Sequence, residues 1–315
     1  MLLKSDTQTE IAPQADAGLP TWEDLMVELF DACERKPGVH QALLEIKETP
    51  PRGIRGFLFA MGFRIARALP YDNDFRKLCE PNWQTLHRFV LEQVYRNVTL
   101  SDSDERPDTW VFGPHNQLPC SNATLEDRVS LIKSQVTLDQ PLLIIGDDDM
   151  QSLRLAEEGF TDITTIEIDP VIAKRISDLA AERSQTIRVI CQSIDDVGAD
   201  LIRPYGAVLM DPPCNPKGLA VFFDSARRLN TNQPGSKLFL STHFLSQGKE
   251  GYDELRRTLA DSGYQQLMYK PAFNRYPIPR VSKFILNTML RIVVPALAKS
   301  PAHFFVSDLV VLECR

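Results

Sequence analysis

The sequence predicts an α/β protein: a largely parallel sheet of seven strands covered by helices on both faces, preceded by a small N-terminal helical domain. Three observations carry this. From about residue 116 onward, short apolar runs alternate with amphipathic stretches at the spacing of strand–helix units, which pair their strands in parallel. Before that point the chain holds only 3.6-residue periodicities broken by prolines. The final strand, helix, strand order suits one antiparallel edge strand.

Residues 1–20 are polar, carry Pro13, Gly18 and Pro20, and read as a loose, disordered tail. Thr21 opens a helix with Trp22, Leu25, Met26, Leu29, Phe30 and Cys33 on one face, and Pro37-Gly38 ends it. Further helices over about 39–48, 52–69 and 82–97 complete a domain spanning 21–110, with the polar stretch Ser101 to Asp108 as linker. In the second domain, 116–315, strands are expected at 142–145, 163–168, 187–191, 206–210, 237–241, 264–269 and 309–313. Helices are expected at about 149–158, 170–183, 217–229, 252–261 and 281–297.

The net charge of −7 and the pI of about 5.4 argue against a protein that tracks nucleic-acid phosphates and fit either a small cationic substrate or no charged partner at all. The six cysteines are scattered without CxxC spacing, and the histidines without HExxH spacing, so no metal site is expected. No apolar run reaches the ~18 to 20 residues of a membrane span. The chain opens MLLKSDTQTE, without the apolar core of a signal peptide, so the expectation is a cytoplasmic protein with reduced thiols. A homodimer stays open.

In an open α/β sheet, ligands bind at the carboxyl ends of the strands, near the switch point. The first strand ends Gly146-Asp147-Asp148-Asp149. Gly146 permits a tight turn, while three adjacent carboxylates exceed what helix capping needs. GxGxxG is absent, and acids at this turn would repel a pyrophosphate, which disfavours NAD and FAD. The second strand ends Ile166-Glu167-Ile168-Asp169, with Glu167 about 20 residues beyond the glycine, the spacing at which an acid meets ribose hydroxyls. Asp169 also suits a helix cap. The third strand runs into Ser193, Ile194 and Asp195, where a polar group meets an adenine amino group. The fourth ends Asp211-Pro212-Pro213-Cys214, where the Asp211 carboxylate and a carbonyl fixed by proline can both accept hydrogen bonds from one amine.

GDDD, IEID and DPP at these intervals resemble the branched-chain polyamine synthases, the N4-bis(aminopropyl)spermidine synthase family. The resemblance covers about residues 115–315, including Asn116-Gln117, Thr124, the segment Phe273-Asn274-Arg275-Tyr276 and Ser307-Asp308-Leu309-Val310-Val311. It implies a Rossmann-like, methyltransferase-type sheet. It also implies transfer of an aminopropyl group from decarboxylated S-adenosylmethionine to a polyamine, with release of methylthioadenosine. The first Asp of the loop then lies beside the attacking amine, which is Asp147 here. The sequence departs from the family at Cys214, where an aromatic is usual, at Ser193, where Asp is usual, and at His115-Asn116-Gln117, where Tyr-Asp-Gln is usual.

The resulting reading makes Asp147 and Asp211 catalytic, with Asp148 and Asp149 free to cap the helix and face the donor. Gly146, Glu167, Ile168, Ser193 and Ile194 join those two in binding it. Pro212, Cys214, Asn274 and Tyr276 contact the acceptor. Decarboxylated S-adenosylmethionine, whose tail ends in an ammonium, suits three carboxylates better than S-adenosylmethionine itself. The latter stays open if Lys133 or Arg128 folds over to receive its carboxylate. A methyltransferase acting on an amine and a catalytically silent partner-binding module are the rival readings.

Overall fold

The computed structural model describes Leu19, Thr21 and residues 117–213, 216–231, 233–242, 244–277 and 304–315. The N-terminal helices, the helix expected over 281–297, and Cys214 lie outside the described residues. The chain order is α1 (Asn122–Gln135), β1 (Leu142–Ile145), α2 (Gln151–Glu157), β2 (Ile163–Glu167), α3 (Pro170–Glu182), β3 (Ile187–Cys191), β4 (Ala207–Met210), α4 (Pro216–Leu229), β5 (Lys237–Thr242), α5 (Phe244–Asp261), β6 (Tyr264–Pro277) and β7 (Phe304–Cys314).

The seven strands form one sheet in the order β3-β2-β1-β4-β5-β7-β6. β1 to β5 pair in parallel, and β7 runs antiparallel between β5 and β6. The Rossmann-like, doubly wound fold is therefore as expected, with one correction. The antiparallel strand is interior, and the edge is β6. Leu309, Val310, Val311 and Leu312 are all buried, the pattern of a strand covered on both faces. The start of β6, by contrast, carries the half-exposed Gln265 and Gln266.

Two helices also differ from expectation. α5 begins at Phe244, ahead of the predicted 252, because Gly248 and Gly251 obscure its first turns without stopping them. α1 precedes the first strand and lies outside the strand–helix alternation that the sequence displays. Leu19, placed by sequence in a loose tail, is buried in the main core with Leu143, Val208, Phe223, Leu238 and Tyr252.

The topology positions the site. Strand order reverses between β1 and β4, and the pair Ile145↔Met210 sets their carboxyl ends level. Gly146 and Asp211, the next residues on each strand, thus lie side by side at the switch point. Gly146 adopts φ +74°, and its N–H still bonds the Ile166 carbonyl at 2.8 Å, so the turn out of β1 begins without breaking the pairing to β2.

Candidate functional site

The acidic loop divides its carboxylates differently from the sequence reading. Asp147, not Asp148 or Asp149, caps α2. Its Oδ1 accepts the Gln151 N–H at 2.7 Å, and its Oδ2 takes the Ser152 N–H at 3.3 Å. The reason is backbone geometry: positive φ at both Gly146 and Met150 delays the helix to Gln151, so the first Asp faces the free amides. Burial pushes the Asp147 carboxyl up to about 7, against the amides that favour its charge. Asp149 accepts the Cys120 N–H and an Arg128 N–H, both at 2.5 Å. Asp148 is half-buried and has no side-chain hydrogen bond among the described residues.

Glu167 is 1 % exposed at the end of β2. Its Oε2 accepts the Asp147 N–H at 2.8 Å, and its Oε1 accepts the Asp169 N–H at 2.8 Å and the Gln117 amide at 3.0 Å. Asp169 caps α3 through the Val171 N–H, as expected. Ile168 beside it is 44 % exposed, an apolar surface at the mouth of the β2 turn. Ser193 is half-buried and makes no cap. Ile194, expected among the donor-binding residues, buries its side chain in the main core.

Arg128, on α1, ties the other side together. Nη1 bonds Asp149 Oδ2 at 2.5 Å, Nη2 bonds Asp211 Oδ2 at 2.7 Å and the Tyr276 hydroxyl at 3.1 Å, and Nε bonds Asn274 Oδ1 at 2.7 Å. The Tyr276 hydroxyl also donates to Asp211 Oδ2 at 2.6 Å. Asn274 and Tyr276 are two residues apart on β6 and so share a face. A register shift between Lys270 and Asn274 precedes them, and the Asn274 amide bonds Ser307 Oγ at 2.9 Å. Pro212 is buried behind Asp211, and Pro213 lies against the first turn of α4. A Cβ at Gly218 would come within 2.9 Å of its ring, so only glycine admits the approach.

These groups create an acid-rich recess with one arginine in it. Burial raises the Asp148 carboxyl well above its ordinary range, reinforced by Asp149, Asp211, Glu167 and Asp147. Burial also raises Asp211, with Arg128 opposing it. Burial works to lower Arg128, but Cys120, Asp149, Tyr276 and Asp211 together hold it above its ordinary value. Tyr276 is raised by burial and by Asp211. The recess opens into a cavity of about 410 Å³ counted out to solvent. Arg128, Asp147, Asp149 and Asp211 line it together with Ile132, Leu209 and Phe239, while Asp148 and Glu167 are not among the residues that line it.

Two structures of the branched-chain polyamine synthase from Thermus thermophilus are similar to this chain, each solved with N4-aminopropylspermidine and 5'-methylthioadenosine. One, a C9 mutein, matches at TM-score 0.57 and 16% identity over 91% of this chain and 92% of that one. The other matches at 0.53 and 16% over 89% and 93%. The likeness shows the fold. A magnesium protoporphyrin IX methyltransferase from Synechocystis PCC 6803, with bound SAH, matches at 0.42 and 13% over 61% of this chain and 82% of that one. No protein-family profile and no curated sequence matches the chain.

Sequence reasoning weighed Arg128 only as a receiver for a donor carboxylate, and the structure engages it with Asp149 and Asp211 instead. Lys133 pairs with Glu158 at the surface. The available signal was the stripe Leu125, Val129, Ile132 and Val136 behind the Ser121 cap, with Arg128 on the same buried face. A charged residue on the apolar side of a helix is paired when it is buried.

Proposed function

We propose that the protein transfers an aminopropyl group from decarboxylated S-adenosylmethionine to a polyamine-type amine, releasing methylthioadenosine. The observation that carries this reading is Asp148: a half-buried acid without a partner among the described residues, in a field of four more carboxylates whose nearby arginine is already engaged. Such a recess attracts cations and repels a carboxylate tail. The Thermus synthase, crystallised with a branched polyamine and a thioadenosine, lends support.

The donor supplies a carbon activated by sulfonium. The acceptor nitrogen forms a bond to that carbon as the carbon–sulfur bond breaks, and the electron pair stays on sulfur. Asp148 takes the proton released by the new ammonium. Its raised affinity for protons brings it closer to an amine, which favours transfer. Asp211 and the Pro212 carbonyl orient the acceptor, with Asn274 and Tyr276 beside them. Glu167 holds the ribose, one hydroxyl displacing the Gln117 amide. Gly146, Ile168, Ser193 and the Ile194 backbone border the nucleoside, and Asp149 faces the ammonium tail. Cys214 keeps its place next to the acceptor as part of this proposal.

Calorimetry tests the donor. An ion pair at ~4 Å is worth about 4 kcal/mol at an effective dielectric near 20, and desolvation offsets much of it. Decarboxylated S-adenosylmethionine should therefore bind at least about tenfold more tightly than S-adenosylmethionine. A clear preference for the carboxylated donor would replace this reading with methyl transfer.

A further inference from the structure

Arg128 does more than neutralise two acids. We propose that it is the positioning residue that decides which oxygen of Asp211 meets the acceptor amine, an inference that rests on the function proposed above. Asp211 Oδ2 receives two donors, Arg128 Nη2 at 2.7 Å and the Tyr276 hydroxyl at 2.6 Å. Its Oδ1 has no hydrogen bond among the described residues. The carboxylate is therefore held by one oxygen, and an amine approaching Asp211 meets the other.

The clamp is itself fixed. Asn274 Oδ1 holds Nε at 2.7 Å and Asp149 Oδ2 holds Nη1 at 2.5 Å, so the guanidinium plane is set by three elements: β6, the β1–α2 loop and the β4 end. Tyr276 is steadied by Ser307 Oγ at 2.9 Å. A lysine at this position keeps the charge but has no planar fork, so it cannot hold Asp149, Asp211 and Asn274 in one geometry. Charge accounting points the same way. Arg128 compensates Asp149 and one edge of Asp211, leaving Asp148 and Asp211 Oδ1 without a hydrogen bond among the described residues.

The test uses Arg128→Lys, Arg128→Met and Tyr276→Phe in the full chain, with melting temperature, donor affinity, kcat, amine KM and the pH profile of kcat/KM. The groups facing Asp211 are Arg128 from α1, Tyr276 from β6, and Asp148 and Asp149 from the loop, with Cys120 beside the guanidinium. Arg128→Lys should fold, bind donor within about twofold of wild type, keep its acid limb and lose at least about tenfold in kcat. Arg128→Met removes the only cation among these groups, and with it the influence that opposes the rise of Asp211, so Asp211 holds its proton to higher pH. The acid limb should move up by about one unit or more. Tyr276→Phe leaves one donor on Oδ2, and its kcat should fall between that of wild type and Arg128→Lys.

A folded Arg128→Lys with wild-type kcat and amine KM would overturn the proposal, and it decides the matter if Arg128→Met does not fold. An Arg128→Met protein with a lower melting temperature but an unmoved acid limb would reduce Arg128 to a structural tie. Carboxyl titration by 13C NMR in ligand-free protein reads the same effect without turnover, so failure of the aminopropyl reading is distinguishable. Asp211 titrating at the same pH with and without Arg128 would also overturn the proposal.

Discussion

Asp148→Asn should leave the fold intact and lower turnover by about 10² to 10⁴, the usual worth of a positioned proton acceptor. The fold survives because the Asp148 side chain makes no hydrogen bond to any described residue, so no partner is orphaned. Relief from four neighbouring carboxylates should even favour the folded state. The control is Asp147→Asn, whose amide oxygen can still accept the Gln151 N–H. Its turnover should stay within about tenfold of wild type, because a cap contributes to stability and not to proton transfer. Its stability should depend differently on pH. In the wild type the folded-state carboxyl of Asp147 is raised to about 7, above its unfolded value of about 4. Through that window the unfolded chain has released a proton that the folded chain keeps, so this group contributes a loss of stability as pH rises. Chemical denaturation at pH 4 to 8 should show that decline reduced in Asp147→Asn. Normal turnover in Asp148→Asn alongside a collapse in Asp147→Asn would return the catalytic role to the first acid of the loop.

Glu167→Gln should weaken donor binding by roughly 1.5 to 3 kcal/mol, the cost of removing charge-assisted bonds to ribose hydroxyls. The sequence alone predicts no effect on the fold, and the structure adds one. Glu167 accepts three N–H groups, from Asp147, Asp169 and Gln117. A glutamine offers one acceptor oxygen, and its NH₂ then faces at least one of those donors at a site almost sealed from solvent. A stability loss of about 1 to 3 kcal/mol is expected, seen as a lower denaturation midpoint with an unchanged slope. Unchanged donor affinity in a folded variant would remove Glu167 from the nucleoside site and leave it as the brace of the acidic loop.

The sheet and the set of acids at its strand ends were legible because topology alone assembles them. Continuous apolar strands such as Leu142–Ile145 must be covered on both faces, and a doubly wound order brings the residues after β1, β2 and β4 to one edge. The uninterrupted run Leu309–Leu312 also carried the information that β7 is interior, although strand order suggested an edge. The division of labour within Asp147-Asp148-Asp149 was not legible. It turns on the positive φ of Met150, a residue with no sequence preference for that conformation, which moves the start of α2 and with it the capping acid. Arg128 escaped because its partners are far off in sequence: Asp149, Asp211, Asn274 and Tyr276 meet it only when α1 packs beside β6.

The most direct measurement incubates the protein with decarboxylated S-adenosylmethionine and a linear polyamine such as spermidine, and reads both products by mass spectrometry. The account predicts a polyamine heavier by aminopropyl units, with one methylthioadenosine released for each unit added. No product from this pair, together with S-adenosylhomocysteine and a methylated amine when S-adenosylmethionine is the donor, would contradict it.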